Sequence, residues 1–465
     1  MVPSRAVVTL DLVLRSERVA RDDGTLRPGA VLVAGGRIVD VVEPAHAPPR
    51  AGPAAPPVED VGTEVLLPGL VDTHVHVDEP GRASWEGFET ATRAAAAGGV
   101  TTLVDMPLNS IPPTTTVAAL EAKRAAAAGR CAVDVAFWGG VVPGNTGEVP
   151  GLVAAGVAGF KAFLCPSGVE EFAHVGEDDL AAALPVLADA GRPLLVHAEL
   201  PGPLRAAAAR MPPAHDAAHR RHATWLACRP HEAEDLAVAL LADACRRTGA
   251  PIHVVHHCSA HALDTLARAR DEGLPLTAET CPHYLHFAAE DVPDGATEFK
   301  CAPPIRGADN RERLWDALAG GLLDAVVSDH SPCTPDLKRG DFGTAWGGIA
   351  GLQLGLAATW TQARARGVAL TRLARWMSAV PAALAGLDDR KGRLAPGLDA
   401  DVVAFDPDAA WTVEGARLHH RHPVTPWAGA RLTGRVTATW LRGRRIQVDG
   451  RLDAEPCGRL LARTR

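Results

Sequence analysis

Apolar residues along this chain recur with two different periods, and the two are segregated. From residue 69 to about residue 389, short apolar runs rich in β-branched residues alternate with longer Ala/Leu/Arg segments. The first texture predicts buried strands, the second amphipathic helices. The strand runs are VDTHVH (71–76), TTLVDM (101–106), AVDVAFW (132–138), GFKAFL (159–164), PLLVHAE (193–199), PIHVVHH (251–257), PLTAETC (275–281) and LDAVVSD (323–329). Between most of them lie helical runs such as TATRAAAAG, TVAALEAKRAAAAG, DDLAAALPVLADAG and AEDLAVALLADACRRTG, several closed by glycine where a C-cap would fall. Eight such strands with helical crossovers over roughly 320 residues predict an α/β fold, a (β/α)8 TIM barrel with insertions rather than an open doubly wound sheet. No G-x-G-x-x-G turn follows any of the strands.

The two ends read differently. VVTLDLVLRS and AVLVAGGRIVDVVE alternate as half-buried strands do, with Gly35-Gly36 placed as a hairpin turn, and a Pro/Ala/Gly loop covers residues 45–57. Past about residue 390 the strand texture returns in KGRLAPGLDADVVAFDP and RVTATWLRGRRIQVDGR. The ends resemble each other and not the middle. We therefore expect one small β-sandwich-like domain built from residues 1–65 and 390–465, around a barrel spanning 66–389.

Composition narrows the function class. Hydrophobic residues make up 47% and charged residues 22%, the balance of a globular protein in water. The N-terminal residues mix charge into each apolar run, so no signal peptide is expected. No segment reaches the eighteen or so uninterrupted apolar residues that span a bilayer, and a cytosolic (cytoplasmic) location is the expectation. The nine cysteines are odd in number and scattered without a C-x-x-C pair, which points away from disulfides and cysteine-based zinc sites. A net charge of −8 without a basic block argues against nucleic acid. Only five lysines occur, at 123, 161, 300, 338 and 391, so a lysine inside an apolar strand is not compositional drift. Tyr284 is the only tyrosine.

In such a barrel, catalytic side chains leave the C-terminal ends of the strands. His74 and His76 end the first run, and residues i and i+2 of a strand share a face, so both imidazoles can reach one point. Lys161 lies in the fourth run, His197 ends the fifth and Asp329 ends the eighth. In the sixth, alternation puts either His256 or the His253/His257 pair inside. Histidines and an aspartate converging on one mouth are metal ligands by type. A protonated lysine cannot be one, but a neutral amine that adds carbon dioxide becomes a carbamate, which can bridge two cations.

The blocks GLVDTHVHVDEPGRASWEGFETATRAAAAGGVTTLVDMPLNSIPPTT, VAGFKAFLCPSG, LLVHAE, IHVVHHCSA, ETCPHYL, KCAPPIR, VVSDHSPC and AWGGIAGLQ resemble, in order, those of the cyclic amidohydrolases in the amidohydrolase superfamily, and among these the allantoinases. GRLAPGLDADVVAFDP extends the likeness into the tail. The resemblance implies two divalent metals, usually zinc, held by His74, His76, carboxylated Lys161, His197, His256 and Asp329, and so selects His256. It implies metal-activated hydrolysis of allantoin to allantoate, with Asp329 moving the proton, and a homotetramer. Dihydroorotases resemble this chain but typically carry Arg where Asp78 stands and Asn where Ala302 stands. Hydantoinases and dihydropyrimidinases usually place a Tyr just after the lysine, where this chain has AFLCPSGVEEF. Asp78, Asn109, Ser331 and His283 are the expected contacts to the small-molecule substrate. Inactive scaffolds of the superfamily are marked by lost ligands, and none is lost here.

Overall fold

The computed structural model describes residues 9–48, 55–213 and 216–464. Residues 7–8 of the first strand run and 49–54 of the Pro/Ala/Gly loop lie outside them.

The barrel is closed by backbone hydrogen bonds. Leu70–Val75, Val100–Asp105 and Asp134–Phe137 pair in parallel, and Phe160–Phe163, Leu194–His197, Ile252–Val254, Leu276–Thr280 and Ala325–Val326 continue the sequence. The third strand breaks at Trp138 and resumes at Gly139–Gly140, which pairs with Phe160–Phe163. A bridge between Val75 and His330 joins the eighth strand back to the first. Five of the observed strands sit inside the runs expected from sequence and are shorter at their ends, whereas the first begins one residue early at Leu70, the second at Val100, and the third resumes past its run at Gly139–Gly140.

Alternation along these strands sorts their side chains. Phe160, Ala162, Leu194 and Val196 belong to the large cluster shared with the surrounding helices. Phe163 and Leu195 pack instead with Val104, Met106, Ala136 and Trp138. Lys161 and His197 are in register with that second set, since Lys161 pairs with Leu195 and Phe163 with His197. The period of two thus places Lys161 inside the barrel one pair below the mouth.

The helices follow from their caps. Thr116 accepts a hydrogen bond from the Ala119 N–H to open Val117–Ala127, and Gly249, at φ 68°, closes His231–Thr248 in the left-handed conformation open to glycine.

Both chain ends do build one nine-stranded mixed sheet. In it Val402–Thr412 pairs antiparallel with Val65–Pro68, which pairs in parallel with Leu12–Ala20. Leu66 packs with Leu14, Val31, Val402 and Trp440 inside this sheet's own core. Its neighbours Val65 and Leu67 point the other way, into the barrel cluster. The chain crosses from sheet to barrel at Gly69. A Cβ there would lie 2.2 Å from Thr101 Oγ1 and 2.9 Å from Asp401 Cβ, so a larger residue would push the two bodies apart. No helix among the described residues is long and apolar enough to cross a membrane.

Candidate metal centre

Six side chains from five strand ends meet at the C-terminal mouth. His74 Nε2 lies 3.2 Å and His76 Nε2 3.9 Å from Asp329 Oδ1, one cluster of donor atoms. His197 Nδ1 lies 3.0 Å from His256 Nε2, forming a second. The two are adjacent, with the His74 and His256 ring centroids 5.3 Å apart. Lys161 is fully buried, and its Nζ has no hydrogen-bond partner among the described residues.

Burial pushes the His74 imidazole down to about 4 and holds His76, His197 and His256 below the usual histidine range. Neutral imidazoles are the form that binds metal. Burial also pushes the Lys161 amine down and the Asp329 carboxyl up from their usual ranges. The donor set therefore fits divalent cations, with four neutral imidazoles, a carboxyl group and a partnerless interior amine. The metal-facing nitrogens are fixed from behind. His74 Nδ1 is 2.6 Å from Glu279 Oε1, His197 Nε2 is 2.7 Å from Glu199 Oε2, and Asn109 Nδ2 is 3.4 Å from His76 Nδ1. Against the penalty of burial, Arg229 and His197 hold Glu199 ionised, with Arg229 Nη2 2.5 Å from Oε2.

The backbone at the mouth is bent to make this possible. Asp78, Asn109, His256 and Asp329 all have positive φ, of 66°, 68°, 39° and 45°. Non-glycine residues adopt this conformation only when the surroundings over-determine it, and functional sites are where it concentrates.

A cavity of about 490 Å³ opens over the cluster, lined by His74, His76, Asn109, Lys161, His197, His256, Lys300, Ala302, Asp329 and Ser331, among others. Trp225 and Trp346 help to wall it. The amidohydrolase family model matches residues 65–446. The chain belongs to the amidohydrolase family. This amidohydrolase is 54% identical over 454 residues to the allantoinase of Streptomyces avermitilis, covering 98% of this chain and 99% of that one. To the allantoinase of Saccharomyces cerevisiae it is 46% identical over 415 residues, 88% of each. Among solved structures, the L-hydantoinase (dihydropyrimidinase) from Arthrobacter aurescens matches with a TM-score of 0.91 at 29% identity, covering 98% of this chain and 100% of that one.

Asp78 and His283, expected on the substrate, do not line the amidohydrolase's cavity. The left-handed turn at Asp78 takes its buried carboxyl off the face that His74 and His76 share, and burial pushes that carboxyl well above the usual range. His283 lies buried beside Asp329, within 4.8 Å. The sixth strand departs from simple alternation. Its regular part ends at Val254, so the left-handed His256 escapes the alternation, and the His253/His257 pair is split. His256 enters the cavity, His253 joins the interior network with Nε2 3.1 Å from Glu279 Oε2, and His257 faces Glu234 of the outer helix at 3.8 Å.

Sequence reasoning missed Glu199, Arg229 and Glu279. Glu199 stands two residues past His197, and Glu279 near the end of the seventh run. Acidic residues at strand ends were the available signal.

Proposed function

We propose that this protein is an allantoinase, opening the hydantoin ring of allantoin with water to give allantoate. The observation that carries the reading is a complete set of donor side chains at one barrel mouth, in a chain matched end to end by relatives named allantoinases. His74, His76 and Asp329 would hold one divalent ion and His197 and His256 another, with Lys161 between them as a carbamate. Divalent ions held there, zinc in this proposal, would supply a lowered pKa for water and polarisation of the scissile carbonyl.

The protein's own groups do the rest. Glu279, Glu199 and Asn109 fix the imidazoles that face the ions. Asp329, on the cavity wall, takes the proton from the attacking water and delivers it to the leaving ring nitrogen. Asn109 and Ser331, which line the cavity, contact the ring.

The cavity suits a neutral substrate better than an anionic one. Apart from Lys161, the basic side chains on its wall, Arg229 and Lys300, are engaged elsewhere. Arg229 pairs with Glu199, and Lys300 Nζ donates to the Ala345 carbonyl at 2.5 Å while lying 4.4 Å from the Trp225 ring centroid. A substrate carboxylate such as that of dihydroorotate would have to compete for them. The structural likeness to a hydantoinase favours hydantoin as the second reading. Against it, Tyr284 is turned away, donating its hydroxyl to the Pro303 carbonyl at 2.7 Å. We assign the enzyme to the cytoplasm as a homotetramer.

The test is a hydrolysis panel of allantoin, hydantoin, dihydrouracil and dihydroorotate with metal-loaded protein. Allantoin is expected to be turned over fastest. A faster rate on any of the other three would overturn the substrate assignment.

A further inference from the structure

The carboxylates behind the metal-facing histidines are not equivalent. Glu199 is neutralised by Arg229, which contacts both of its oxygens. Among the described residues no Arg or Lys forms an ion pair with Glu279. Its Oε1 is 2.6 Å from His74 Nδ1 and its Oε2 3.1 Å from His253 Nε2. The other nitrogen of His253 is 2.7 Å from Thr277 Oγ1. Glu279 is fully buried and His253 nearly so.

Proton bookkeeping fixes the direction of these bonds. A carboxylate can only accept, so His74 Nδ1 and His253 Nε2 must both carry protons. His253 Nδ1 then accepts from the Thr277 hydroxyl. The donors therefore converge on Glu279, from Thr277 through His253 on one side and from His74 on the other, which leaves His74 Nε2 as the lone-pair nitrogen facing Asp329 and His76. His253 is thus no spare ligand; it holds the carboxylate that holds a ligand.

We propose that Glu279 is a positioning residue that sets the tautomer and ring orientation of His74, with His253 and Thr277 as its lock, and so determines how tightly the His74/His76/Asp329 cluster holds its metal. This rests on reading His74 as a metal ligand. Partners of this kind typically contribute about 10- to 100-fold in metal affinity.

The test is competition of the full-length protein against a chromophoric chelator for Zn(II), with wild type, Glu279→Ala, Glu279→Gln and Thr277→Val compared. Glu279→Ala should weaken one of the Zn(II) affinities, that of the His74/His76/Asp329 cluster, by about 10- to 100-fold. Glu279→Gln should lose less, because the amide oxygen can accept from His74 while its N–H donates to the other tautomer of His253. Thr277→Val should show a smaller loss of the same kind. Glu279→Ala retaining Zn(II) affinity within about threefold of wild type, whatever its melting temperature without metal, would overturn the proposal. If that variant does not fold, wild-type affinity in both Glu279→Gln and Thr277→Val would overturn it. A wild-type protein that binds no Zn(II) would instead sink the metal centre itself, and one that binds Zn(II) but leaves allantoin intact would sink only the substrate assignment.

Discussion

Lys161 is the residue on which the proposed chemistry turns, because among the described residues its interior amine has no hydrogen-bond partner and only the Phe163 ring 5.2 Å away. The other lysines show what a structural role looks like: Lys123 Nζ lies 2.6 Å from Asp105, and Lys391 sits among three aspartates. Lys161→Ala is expected to lose turnover and bridged metal binding together, with part of the rate restored by acetate at high concentration; a metal-loaded, active variant would contradict the role. At Asp329, the Asn variant deletes the proton shuttle but keeps an oxygen donor, so turnover should fall by about 100- to 10,000-fold while much of the metal stays bound. Steady-state kinetics with metal analysis checks it, and retention of more than about a tenth of the rate would remove Asp329 from that role. Which residues were legible at this scale follows from the period of two. Lys161 and His197 lie in register on regular strands and His74 at the end of a strand whose pairing shifts around it, so alternation located the first two and the strand end the third. Asp78 and His256 lie where φ turns positive, and alternation has no meaning there. Glu279 acts through a contact 205 residues away in sequence, and no local pattern reports such a contact.

At the scale of elements, the eight strands were readable because each is a short apolar run bounded by helix signals. Their exact ends were not, since hydrogen bonding stops where loops begin to bend toward the site. Those loops decide the cavity's upper wall, and their meeting is tertiary: Trp85 from the loop after the first strand packs edge-on against Trp346 from the loop after the eighth, with ring centroids 4.7 Å apart. The terminal sheet and barrel are joined by a buried ionic cluster, in which Lys391 Nζ lies 2.7 Å from both Asp134 and Asp401 and 3.0 Å from Asp399. Asp134 begins the third barrel strand and Asp401 precedes the sheet strand Val402–Thr412. Lys391→Met would leave the buried Asp401 without its cation, while Asp134 keeps Arg442 and Asp399 keeps Arg390, and such a loss costs about 3–5 kcal/mol. Denaturant unfolding should show a correspondingly lower midpoint. An unchanged midpoint would mean that the cluster is not what couples sheet to barrel.

For the whole molecule, the design is a rigid closed barrel whose mouth holds charge-bearing groups that the fold alone would not tolerate. A chelator should therefore abolish turnover without unfolding the chain, and added zinc should restore it; circular dichroism followed alongside activity separates the two effects. Survival of full activity through exhaustive chelation would exclude the metal-centred reading. The claim beneath all of this is that Lys161 carries a carbamate joining two ions. Intact mass under native conditions tests it most directly. The account predicts the sequence mass plus two divalent ions plus about 44 Da for one carbon dioxide, the last lost on acid denaturation. A fully active, metal-loaded protein without that added mass would contradict it.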